Sequence, residues 1–169
     1  LTLSPLVILV LTWLSVTAYT QGVKMAGFAL DIKKNIAAFN VGVEQAVRGT
    51  AIQVFSSIVE STPVDEGRAR ASWIATGQKP STRVTTNEDK NGTATISAIQ
   101  STVSSLKDYS AFTLTSNLPY INVLEFGLYG SGDKTVNGFS KQAPNGMLRI
   151  NMNRAAKVLE EQAARNLPK

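Results

Sequence analysis

Ile32, Ile36, Phe39, Val43, Val47, Thr50, Val54 and Ile58 follow one another at steps of three and four, and only Thr50 among them is not apolar. That spacing draws a stripe down one side of an α-helix, so Asp31 to Glu60 is expected to form one long amphipathic helix. Asp31 sits where a carboxylate complements the positive end of the helix dipole. Gly42 and Gly49 weaken the helix slightly. Pro63 ends it, because the residue before a proline avoids the helical region. The apolar stripe needs a second layer to cover it, and the remaining chain has to supply that layer.

Downstream, Arg68 to Ala75 is expected as a strand with Ala69, Ala71, Trp73 and Ala75 on one side, although Ile74 breaks the alternation. Gly77 to Gly92 is a long exposed loop or hairpin tip whose flanks, Thr82–Thr86 and Thr93–Ala98, can pair as strands. A short helix over Thr95–Lys107 competes with the second flank, since Ile96, Ile99, Val103 and Leu106 step by three and four. Ser110–Thr115 alternates and is threonine-rich, as a strand is. Pro119–Gly127 is a helical turn stopped by glycine, and Tyr129–Gly146 is a surface loop. Met147–Asn166 is the final helix, with Leu148, Met152, Ala155, Leu159 and Ala163 as its apolar stripe. The expected fold is α+β: a small antiparallel sheet packed against a long N-terminal helix and a C-terminal helix, with Trp73 and Phe112 on the sheet side of the core. No internal repeat or linker divides residues 25–169, which read as one domain.

The composition narrows the chemistry. With 169 residues and 43% hydrophobic content the chain can bury a core. It has no cysteine and no histidine. Disulfide and thiolate chemistry, the Ser-His and Cys-His nucleophile pairs and most zinc sites are thereby removed. A carboxylate-only enzyme is still allowed. The net charge of +5 favours an anionic neighbour such as nucleic acid, but the basic residues are scattered and form no run.

Residues 1–24 form an apolar leader, LTLSPLVILVLTWLSVTAYTQGVK, different in character from the chain beyond Met25. Nothing basic precedes Lys24, as a signal peptide would require, and the apolar block Leu6–Leu14 is shorter than the ~20 residues of a membrane-spanning helix. A third reading is upstream translation, with the start at Met25; Gln21-Gly22 can be encoded by purine-rich codons that suit a bacterial ribosome-binding site. A packed N-terminal helix is the fourth. A membrane-anchored or exported binding module using residues 1–24 as anchor or signal is the alternative function.

The stretch Thr62–Trp73, TPVDEGRARASW, concentrates Asp65, Glu66, Arg68 and Arg70 around Gly67. Two readings stand side by side: a carboxylate site or ion-pair network, and a turn whose glycine supplies an unusual backbone angle while the charges stay solvated. Glu125 lies in an apolar context, Val123-Leu124-Glu125-Phe126. It is a general base, or it caps a turn or pairs with an arginine, with Arg68, Arg70 and Arg149 as the arginines to test. Gly127, Gly130 and Gly132 do not make a dinucleotide-binding pattern.

Three blocks stand in order: the long helix running into Thr62–Trp73, then LPYINVLEFG (Leu118–Gly127), then KQAPNGMLRINMNRAAKVLEE (Lys141–Glu161). From Met25 to the end the chain resembles the tail-completion, or neck, proteins of tailed bacteriophages. Thr62, Pro63, Val64, Asp65, Gly67 and Arg70 match that family's first block, with Ala69 where it usually has leucine. Arg68 lies within the same block. Pro119, Tyr120, Glu125, Phe126 and Gly127 match the second, and Pro144 lies in the looser third. The resemblance implies a non-enzymatic virion part without cofactor, metal or small-molecule substrate. It implies a protein located at the head–tail junction and assembled in the bacterial cytoplasm. The implied partners are copies of itself in a ring, the head connector or head-closure protein, and the tail-terminator or tail-tube protein, with genomic DNA nearby.

Overall fold

The computed structural model describes residues 5–168, with side chains from Gly27 to Pro168. The readings of residues 1–24 as leader, signal or anchor lie outside the described side chains. Helix α1 runs Pro5–Ser61, and the chain divides into two compact units, one up to Val41 and one from Gly42 to Leu167. In the first unit every described side chain from Gly27 to Val41 is exposed, including Ile32, Ile36 and Phe39 of the stripe. In the second, Val54 and Ile58 of the same periodicity are buried.

The second unit has the expected α+β character. Helices α2 (Arg68–Ala71), α3 (Thr93–Ser105), α4 (Ile121–Phe126), α5 (Leu148–Met152) and α6 (Ala155–Asn166) surround two small sheets. Strands β1 (Ile74–Thr76) and β2 (Thr113–Thr115) pair antiparallel, with Ala75 opposite Leu114. Strands β3 (Thr135–Val136) and β4 (Phe139–Ser140) form a hairpin. The core joins Val54, Phe55, Ile58 and Val59 of α1 to Trp73, Ala75, Ile99, Val103, Leu124 and Met147. Phe112 packs against that core, on the sheet side as expected.

Four local expectations are corrected. Arg68–Ala71 is a helical turn, and the strand begins only at Ile74. Gly67, at φ 95°, turns the chain so that its carbonyl accepts the N–H of Ala71 at 3.0 Å, and an alanine-rich segment continues as helix. Thr82–Thr86 and Thr93–Ala98 do not pair: the first has no regular structure, and the second opens α3. The helical alternative prevails because Thr95, Ile99 and Val103 bury one face. The Tyr129–Gly146 loop contains the β3–β4 hairpin, whose turn residues Asn137 (φ 49°) and Gly138 (φ 81°) take the positive angles of a tight hairpin turn.

The fourth correction concerns the last helix. It is broken between Met152 and Ala155, and only part of the expected stripe faces the core, Leu148 and Ala155. Met152 is 52% and Leu159 43% exposed. Asn151, Val158, Gln162 and Asn166 turn inward in place of Met152 and Leu159. The cause is Asn151, whose buried amide donates to the carbonyls of Ser57 and Met147 and to Ser61 Oγ. These bonds anchor α5 to the end of α1. Gly42 and Gly49 then let α6 come close: a Cβ would meet the Asn166 carbonyl oxygen at 2.5 Å from the first and Gln162 Oε1 at 2.6 Å from the second. The expected helix-weakening glycines are contact points.

Candidate functional site

The signature stretch begins where α1 stops. Thr62 is 1% exposed; its hydroxyl donates to the Ile58 carbonyl at 2.7 Å and accepts from Trp73 Nε1 at 2.8 Å. One side chain thus ties the helix end to the core tryptophan and satisfies the only hydrogen-bonding group of the indole. Pro63 is buried beside it. Val64 has both backbone groups taken by the Gln142 amide, its N–H by Oε1 and its carbonyl by Nε2, each at 2.8 Å.

Arg68 and Arg70 diverge. Arg70 donates to three carbonyls, those of Thr62 (3.0 Å), Lys90 (2.7 Å) and Glu60 (3.1 Å). A cation at the carbonyl end of a helix complements its dipole and fills acceptors that have no intrahelical partner. Gly67 makes this turn possible, because a Cβ there would lie 2.5 Å from the Lys90 nitrogen as well as suffering φ 95°. The loop it touches is anchored by Asp89. Burial raises the pKa of that carboxyl, but the backbone and hydroxyl donations from Thr95, joined by the backbone N–H groups of Gly92 and Ala94, together hold it below its usual value.

Glu125 is the buried carboxylate of this region, at 4% exposure. Its Oε2 accepts the N–H groups of Met147 (2.8 Å) and Leu148 (2.7 Å), and its Oε1 accepts Arg149 N and Nε, each at 3.0 Å. Arg149 also donates to the Glu125 carbonyl and lies over the Phe126 ring at 5.1 Å. Burial pushes the carboxyl pKa up, and the donations from Leu148, Met147 and Arg149 together pull it below the ordinary value. Of the three candidate arginines, the geometry selects Arg149. A carboxylate with both oxygens doubly engaged clamps the start of α5 to the end of α4; it has no basic lone pair aimed at a void. Gly127 closes α4 in the left-handed conformation. Pro119 and Pro144 are exposed, while Ala143 and Met147 beside the latter are buried.

The remaining signature residues come together elsewhere. Asp65, Glu66 and Arg68 line a groove of about 730 Å³ with Tyr120, Tyr129 and Lys134. Asp65 and Lys134 stand 3.8 Å apart with 90% and 88% of their side chains exposed. At that exposure their attraction contributes little. Tyr120, half-buried on the groove wall, has its phenol pKa raised by burial, against the opposing pull of Arg68. Asp65 and Glu125 do not meet here: the first faces the groove and the second is consumed by α5. Among the described residues no group of acidic side chains is arranged to hold a metal ion. No helix among them is long and apolar enough to cross a membrane.

Sequence reasoning missed Gln142, Asp89, Asn151 and Arg48. Arg48 donates to the Val103 carbonyl and, at 2.6 Å, to that of Leu106, closing the end of α3, and it pairs with Glu44 at 2.7 Å. The i,i+4 spacing of Glu44 and Arg48 was a signal; Gln142 and Asn151 reach Val64, Ser57 and Ser61 far away in sequence, while Asp89 holds Thr95 only six residues on. Compared with protein-family models, curated proteins and solved structures, the chain gives no match.

Proposed function

We propose that this chain is a structural virion protein of a tailed bacteriophage, a tail-completion or neck protein that joins the head connector to the tail as part of a ring. The observation that carries the reading is the use made of the signature residues. Thr62, Gly67, Arg70 and Glu125 engage or accommodate main chain, and none presents a reactive atom to a cavity. Residues employed in this way give a scaffold of defined shape, on which docking surfaces can be displayed. The open groove beside Asp65, Arg68 and Tyr120 is one such surface. Its mixed charges and two tyrosines suit a polypeptide partner, the connector or the tail tube, better than a small metabolite. The net charge of +5 is compatible with a position near packaged DNA.

The test is reconstitution. Phage lacking this chain should accumulate DNA-filled heads and separate tails, and adding purified protein should restore infectious particles. Normal joining in its absence would end the proposal.

A further inference from the structure

The sequence contains three Asn-Gly pairs, Asn91-Gly92, Asn137-Gly138 and Asn145-Gly146. Such a pair can modify itself, because glycine has no side chain to shield its amide nitrogen from the asparagine before it. The fold treats the three differently. Gly92 and Gly146 are buried, and their N–H groups donate to the carbonyls of Asp89 (3.3 Å) and Ala143 (3.2 Å). Gly92 opens α3, and its carbonyl accepts the Ile96 N–H at 2.9 Å. Gly146 stands directly before the Met147 N–H that Glu125 holds. Moving either glycine disturbs a helix start laid against the core.

Asn137-Gly138 forms the turn of the β3–β4 hairpin. Asn137 is exposed, and among the described residues the Gly138 N–H has no acceptor. Each strand gives only two residues to the ladder, Thr135 opposite Ser140 and Val136 opposite Phe139. A hairpin of that size is marginal by itself and opens at small cost. Opening is required, since the positive φ of both residues belongs to a turn in which the Gly138 nitrogen points away from the Asn137 side chain.

We propose that Asn137 is a self-modification site, converted to aspartate and isoaspartate through a cyclic imide. When the turn opens, hydroxide takes the proton from the Gly138 nitrogen, which attacks Asn137 Cγ. The new C–N bond closes a five-membered ring as the side-chain nitrogen leaves, protonated, as ammonia. Water then opens the ring at either carbonyl. Water is consumed and ammonia released in equal amounts, with no change in oxidation state. Isoaspartate carries an extra methylene in the main chain. Gly138 has little slack to absorb it: a Cβ there would overlap the Gly127 carbonyl oxygen, and the Gly138 carbonyl accepts the Tyr129 N–H at 3.0 Å. The modified turn lifts from Tyr129, which lines the groove together with Thr135 and Ser140. The reaction thus ages one wall of the groove, and its chemistry holds whether or not that groove docks a virion partner.

The test follows the three pairs in one sample. The purified full chain is incubated at mildly alkaline pH, digested and read by mass spectrometry, with isoaspartyl methyltransferase labelling to locate isoaspartate. Asn137 should convert about tenfold faster than Asn91 or Asn145. In chain unfolded by urea the three rates should become similar, because the preference comes from the fold. Val136 is 40% exposed, so Val136→Gly loosens the hairpin without removing a core side chain. It should speed conversion of Asn137 severalfold while the global melting temperature stays close to that of the parent chain. Conversion of Asn91 or Asn145 as fast as Asn137 in the folded chain overturns the proposal. So does a preference that persists in urea, or a Val136→Gly rate equal to the parent's.

Discussion

Glu125→Gln isolates the clamp between α4 and α5. The carboxylate accepts four donors, two on each oxygen. An amide keeps one acceptor oxygen and places an N–H group where the other stood. Whichever way it turns, two donors lose their acceptor and face another donor. Each orphaned buried donor costs about 1–3 kcal/mol. Arg149 is half exposed, so its guanidinium rehydrates and the lost ion pair adds less than about 1 kcal/mol. The sum is about 3 kcal/mol, which corresponds to a Tm lower by roughly 6–12 °C for a chain of this size.

The pH dependence gives a second handle on the same group. The folded-state pKa of Glu125 is depressed, so its contribution is fully present above the unfolded value of about 4.3 and fades as pH falls through the folded value. Urea unfolding followed by circular dichroism at pH 7 and pH 3.5 measures both effects. The gap between wild type and variant should narrow at the lower pH. A variant within about 0.5 kcal/mol of wild type at pH 7, or a gap unchanged by acid, would refute the clamp.

Three further substitutions test the signature turn. Gly67→Ala should cost about 2–4 kcal/mol by thermal melt, from φ 95° and a Cβ 2.5 Å from the Lys90 nitrogen, whereas Gly130→Ala, with open space around it, should stay within about 0.5 kcal/mol. Arg70→Met frees three carbonyls and should lower stability by about 2 kcal/mol, with hydrogen exchange accelerating in the last turn of α1. Thr62→Val orphans Trp73 Nε1 and should cost about 1–3 kcal/mol in urea unfolding, with a shift of tryptophan emission; no change would mean that the hydroxyl does not hold the indole.

The parts of the fold that obey a local rule were legible. The stop of α1 at Pro63, the glycine-closed turn Ile121–Phe126 and the α+β character all come from periodicity and residues of special backbone geometry. Arg68–Ala71 was misassigned because alternation of small residues carries little strand information when a left-handed glycine has already set the chain into a helical turn. The inward side of α5 and α6 was legible only at Leu148 and Ala155, for a different reason. Asn151 faces inward through bonds to Ser57 and Ser61, far away in sequence, and no hydrophobic pattern reports an amide satisfied by a distant helix end. The same holds for the site. Thr62, Asp65 and Glu125 stood out as residue types, but their different fates depend on Trp73, Lys134 and the N–H groups of α5, which only the folded chain brings near.

Cryo-electron microscopy of complete virions is the most direct test of the claim that these residues build an assembly part. The account predicts a ring of this chain at the collar, between connector and tail tube, with Glu125 closed on α5 in every copy. Infectious, complete particles with no copy of the chain at the collar would contradict it.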